Sequence, residues 1–178
     1  MSNSKAFAEL CAKGRDKILT AWKDAVFSTY PLNTVGFART QEDQFCNPAG
    51  HATREALEKI YAAVAGQNVS AKALAAAVEM FIKLRAVQNF TPAEALGVLY
   101  LLKPLLREQI LPACADKKGL FKELLEAESR LDTAVLLACN IYVASKVQVC
   151  EERIGEIKRQ QSQITRWAQK IEGPTSAV

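Results

Sequence analysis

The chain has 178 residues, and its 23 basic and 19 acidic side chains are interspersed for a net charge of +4. That length suits one domain plus an extension and buries a core without staples, and so mild an excess lacks the clustered basic face that nucleic-acid binding requires. Met1 to Lys5 lead into no apolar signal segment, and the most apolar stretch, Leu131 to Val149, is interrupted by Asp132, Asn140, Ser145, Lys146 and Gln148. The expectation is a cytoplasmic protein with neither membrane insertion nor a nucleic-acid partner.

Abundant Ala and Leu with only eight Gly favour helices. The first helix is predicted to begin after Asn3 or Ser4 and to reach Phe27, with Leu10, Ile18, Trp22 and Val26 on one face. Tyr30-Pro31 ends it, because the residue before proline is pushed out of the helical region. Residues 31–49 read as an irregular stretch anchored by Phe37 and Phe45 and closed by the turn sequence Asn47-Pro48-Ala49-Gly50. A second helix is predicted from Ala52 to Ala65, stopped by Gly66. Ser70 caps a third, which carries Leu74, Val78, Phe81, Ile82 and Leu84 and ends near Asn89.

Thr91-Pro92-Ala93-Glu94 supplies an N-cap, a proline at the first helical position and a carboxylate at the third, the strongest start signal in the chain. The fourth helix is predicted to reach Cys114, kinked at Pro104, with Pro112 near its end. Asp116 to Gly119 break it. The last helix is predicted from Leu120 to Ile171, with Ser129 its weakest point and Gly173-Pro174 its stop. No period-two strand pattern occurs, so the fold is expected to be all-α, a helical bundle with a long protruding C-terminal helix. The expected boundaries are a bundle over 1–142, a linker or coiled-coil helix over 143–172 and a tail over 173–178.

One apolar seam dominates that last helix. Val143, Val147, Cys150, Ile154, Ile157, Gln161, Ile164, Ala168 and Ile171 follow one another in alternating steps of four and three. This period of about 3.5 residues keeps one stripe facing a partner along a left-handed supercoil, so the seam predicts a homodimer through this helix. The alternative is a helix folded back on its own domain. The polar run Lys158 to Gln163 is hard to bury all round and favours the narrow seam.

Catalytic chemistry finds little support. His51 is the single histidine, and its place beside Gly50 at a helix N-terminus suits a cap or surface residue better than a haem ligand. No hydrolase, phosphate-loop or dinucleotide motif is present. Glu126 with Glu128 and Glu151 with Glu152 read as solvated faces. The five cysteines form no CxxC and no Cys/His cluster; Cys11 and Cys139 read as small core residues, whereas Cys150 falls on the seam. The expectation is no enzyme activity, no cofactor and no metal. Arg85 lies in an apolar setting and would need a carboxylate if buried, so a structural clamp of Arg85 with Glu128 and Asp132 is expected.

Asn47-Pro48-Ala49-Gly50, the block from Arg85 to Leu96, Leu102-Lys103 and Ser129 to Asp132 resemble, in order and spacing, the N-terminal domain of RsbRD-type proteins, co-antagonists in bacterial stress signalling. The resemblance covers about residues 15–160. It implies a haem-free, globin-like sensory module that dimerises and passes a signal through a helix to an output domain of the STAS type. The sequence reaches Val178 without such a domain, so the expectation is action in trans on a protein partner such as a STAS or kinase component, or a stand-alone branch. Five thiols suggest a second reading, an accessory protein of a cytoplasmic redox complex. A small-molecule carrier is the third.

Overall fold

The computed structural model describes residues 3–30, 47–88, 90–115 and 118–172, and all the regular structure among them is helical. The helices are α1 (Asn3–Phe27), α2 (Pro48–Val64), α3 (Ala71–Val87), α4 (Pro92–Tyr100), α5 (Leu102–Cys114) and α6 (Lys118–Glu172). The fold is therefore all-α, as composition and periodicity predict. Phe37, Phe45, Cys46, Asp116 and the Gly173-Pro174 stop lie outside the described residues.

The helix ends show the residue chemistry at work. At Thr91 the full capping box forms: the Thr91 hydroxyl accepts from the Glu94 N–H while a Glu94 carboxylate oxygen accepts from the Thr91 N–H. Ser70 caps α3 by accepting from the Ala73 N–H. Gly66 adopts φ +77°, and the Gln67 and Gly66 N–H groups close back on the Ala62 and Ala63 carbonyls. That left-handed residue lets α2 end with its last carbonyls satisfied.

Two boundaries depart from expectation. Asn47-Pro48-Ala49-Gly50 is a helix start and not a free turn. The Asn47 side chain accepts from the Gly50 N–H at 2.8 Å and Pro48 takes the first helical position, so α2 begins four residues before the expected Ala52. The predicted fourth helix is two helices that part at Leu101. A proline ring excludes the carbonyl four residues upstream, here that of Tyr100, so Pro104 ends α4 at Tyr100 and sits comfortably in the first turn of α5. Ser129 does not interrupt α6, since its hydroxyl donates to the Leu125 carbonyl at 2.9 Å.

One core unites the helices. It holds Phe7, Ile18, Trp22 and Val26 of α1, Leu57, Ile60 and Tyr61 of α2, Val78, Phe81 and Ile82 of α3, Leu99 of α4, and Leu106 and Ile110 of α5. The first part of α6 passes through the middle and touches every other helix, with Leu124, Ala127, Leu131, Val135, Ala138 and Tyr142 turned inward. Buried aromatic polar tips are pinned to backbone: Trp22 Nε1 donates to the Val98 carbonyl at 2.8 Å and the Tyr61 hydroxyl to that of Cys11 at 2.7 Å. Beyond Tyr142 the apolar core ends while α6 continues, and apart from buried Ser145 and half-buried Lys146, Val149 and Gly155 the rest of the helix is exposed.

By length and composition alone, Gly119–Ile171 contains a stretch apolar enough to cross a membrane. Leu131, Val135, Ala138 and Tyr142 of α6 are packed in the core and Asp132 is ion-paired, so one face of the helix is occupied by its own body.

Candidate functional site

Two features stand out from an otherwise satisfied structure: the projecting half of α6 and a buried arginine at the end of α3.

On α6 the core stripe Leu124, Leu131, Ala138 and Tyr142 hands over to the seam. Val143 and Val147 are 56% and 51% exposed, Ile154 and Ile157 51% and 54%, and Ile164 and Ile171 68% and 85%. Cys150 and Ala168 are exposed as well. Among the described residues, nothing of the chain's own body covers these positions, so the helix does not fold back. Trp167, 73% exposed beside Ile164, adds apolar surface that the period had not selected. Cys139 is exposed rather than in the core, because it stands one position, about 100° of helix, past buried Ala138.

Arg85 is fully buried, and its surroundings differ from the expected carboxylate clamp. One terminal nitrogen donates to the Thr29 hydroxyl at 2.9 Å and to the Glu94 backbone carbonyl at 3.0 Å. The guanidinium carbon stands 3.9 Å from the centre of the Phe90 ring, 5.5 Å from that of Tyr30 and 5.6 Å from that of Phe81. The charge is thus held in contact by ring faces and neutral oxygens, with the Glu94 carboxylate acting on it through space. Glu128 and Asp132 go elsewhere. Glu128 takes a two-point bond from Arg107 at 2.6 and 2.8 Å, and Asp132 pairs with Lys103 at 2.7 Å. Both acids project from α6 toward α5, whereas Arg85 points toward the α1 end and the start of α4. Glu128 is consequently a buried, paired group and not part of a solvated face.

The Arg85 cluster is incompletely satisfied. Its Nε and Nη1 and the Tyr30 hydroxyl are buried with no hydrogen-bond partner. Tyr30 lies near enough to favour the charged guanidinium, although no Arg85 N–H reaches it with hydrogen-bond geometry. Burial pulls the guanidinium below its usual range, and Tyr30 and Glu94 offset that only in part. The Glu94 carboxylate is engaged in the helix cap, where Thr91 holds it below the ordinary glutamate value. Phe90, the most exposed of the three rings, is fixed by its carbonyl, which accepts from the Tyr142 hydroxyl at 2.6 Å.

Elsewhere the chemistry is plain. His51 lies half-buried in the first turn of α2. Cys11 is buried in the core, and desolvation pushes its thiol up to about 11, out of the reactive range. Among the described residues no three His, Cys, Asp or Glu side chains gather where they could share a metal.

Residues 16–160 match the sequence model of the RsbT co-antagonist protein rsbRD N-terminal domain. The matched span contains Arg85 and the seam from Val143 to Ile157. No curated protein and no solved structure matches the chain.

Proposed function

Because this chain belongs to the family of RsbRD N-terminal domains, regulatory modules of stress signalling, we propose that it is a non-enzymatic cytoplasmic module that homodimerises through α6 and relays a signal along it to a protein partner. The body over 1–142 would sense, and the helix over 143–172 would pair and transmit. The carrying observation is the exposed seam on an unbroken helix that leaves the core at Tyr142. A helix that keeps a long apolar stripe in water, interrupted only at Gln161, is far better accommodated against a copy of itself. In a parallel pair, Lys146 of one chain and Glu151 of the other flank the seam and attract; Arg153 and Lys158 stand in the same relation and repel. Apolar contact, more than charge, would hold the pair. The partner fitting this reading is a signalling component such as a STAS or kinase protein.

Removal of residues 147–178 tests the pairing. The core ends at Tyr142, so the shortened chain keeps its helical signal, and its mass in light scattering is expected to fall from dimer to monomer. A full-length chain that is monomeric at micromolar concentration defeats the reading. A shortened chain that remains dimeric moves the interface to the body.

A further inference from the structure

We propose that the cluster of Arg85, Tyr30 and Thr29 is a binding site for a small monocarboxylate whose apolar stem packs among Phe81, Phe90 and Tyr30. A buried polar group without a partner is rare in folded proteins and calls for an explanation such as an ion or ligand. Here three such donors, the Nε and Nη1 of Arg85 and the Tyr30 hydroxyl, are unused in one place, beside a cation that is fully buried. A structural role alone would be served by a carboxylate, yet Glu128 and Asp132 are committed to Arg107 and Lys103. Glu94 of α4 accepts a hydrogen bond from Arg85 only through its backbone carbonyl; its carboxylate attracts the guanidinium from within the helix cap without bonding to it.

The geometry also selects the ligand class. A single guanidinium is in contact with the three rings, which matches one negative charge, and the ring walls suit an apolar stem better than the fully polar surface of phosphate or sulfate. A carboxylate oxygen would accept from a free Arg85 N–H and from the Tyr30 hydroxyl, replacing ring contact with charge-assisted hydrogen bonds. Phe90, the ring most open to solvent, must swing aside to admit it. Because Tyr142 holds the Phe90 carbonyl, that movement reaches α6 one residue before the seam begins at Val143. The proposal thus gives the regulatory reading a ligand class. It rests on that reading only for the relay, since binding is measurable whether or not the chains pair.

The test uses the full chain, titrated with sodium acetate, propionate and benzoate at constant ionic strength against chloride, with phosphate and sulfate in parallel. Calorimetry is expected to show one saturable site per chain for at least one carboxylate, together with a raised thermal midpoint. Arg85→Met, which replaces a buried charge by an apolar chain of similar length and is expected to fold, abolishes both effects. Tyr30→Phe keeps the aromatic wall, removes one donor and weakens binding about tenfold. The proposal is overturned if no carboxylate saturates, if saturation persists in Arg85→Met with equal affinity, or if phosphate or sulfate alone binds. Should Arg85→Met fail to fold, an unchanged affinity in Tyr30→Phe overturns it instead.

Discussion

Placing aspartate at both Ile154 and Ile157 separates pairing from folding. In the single chain these side chains are 51% and 54% exposed, so about half of each remains to be covered by a partner. Full burial of an isoleucine is worth roughly 2 kcal/mol, so each seam position contributes about 1 kcal/mol per chain, and two positions in two chains about 4 kcal/mol. At about 1.4 kcal/mol per factor of ten, the double variant is expected to weaken the dimer by roughly a thousandfold. Four carboxylates brought together at the interface push further in the same direction. Folding of the body should be untouched, because neither residue contacts the core. Light scattering across a concentration series, with circular dichroism as a control for helix content, reads both quantities. A dimer of unchanged strength in Ile154→Asp/Ile157→Asp would show that the seam is not what holds two chains together.

Thr91→Ala is expected to lower unfolding free energy by about 1 kcal/mol in urea titration, while Thr91→Ser stays near wild type, because the hydroxyl rather than the methyl caps α4. The Glu94 carboxyl is held below its ordinary 4.5 by the Thr91 N–H and hydroxyl, so its contribution is present at neutral pH and lost as pH falls through that lowered value. Wild type should accordingly lose more stability on acidification from neutral pH than Glu94→Gln, as read by thermal melts. A thiol titration of the native protein should modify exposed Cys139 and Cys150 quickly and Cys11 only on unfolding. Mild oxidation should link Cys150 to the same residue of a parallel partner; persistent failure to cross-link while the protein is dimeric would argue for an antiparallel pair.

The sequence was most readable where a residue acts on its own backbone. Thr91, Ser70 and Gly66 declare their caps through side-chain oxygens or a tolerance of positive φ, and none of these depends on distant parts of the chain. Asn47-Pro48-Ala49-Gly50 was ambiguous for a physical reason: a turn and a helix start make the same local demand on Asn and Pro. The stripe from Val143 to Ile171 stands out in the sequence because a period survives any choice of neighbour, and it is exposed in the single chain. Arg85 showed only an apolar setting and a need for a partner if buried. Its ring contacts come from the turn that follows α1, from its own helix and from the α3–α4 connection, and no spacing along one helix reveals how three segments converge. Glu128 and Asp132 share a face with the right polarity, but the angle between α6 and α5 hands them to Arg107 and Lys103. Cys139 shows the same limit at finer scale, since one residue separates core from solvent on a helix.

At about 1.5 Å per residue, α6 spans roughly 80 Å, of which about 45 Å extends past Tyr142. A rod of that length magnifies small motions: a tilt of about 5° at the body displaces the far end by roughly 4 Å, more than the width of an atom. Gly155 sits partway along this lever with nothing near its Cα that an added methyl would meet. Glycine inside a helix costs about 0.5–1 kcal/mol relative to alanine, so the rod has one soft joint between body and tip. Gly155→Ala would stiffen it at no steric cost. A module whose output depends on leverage should then respond more sharply, while one that works by bending at this joint should fall silent.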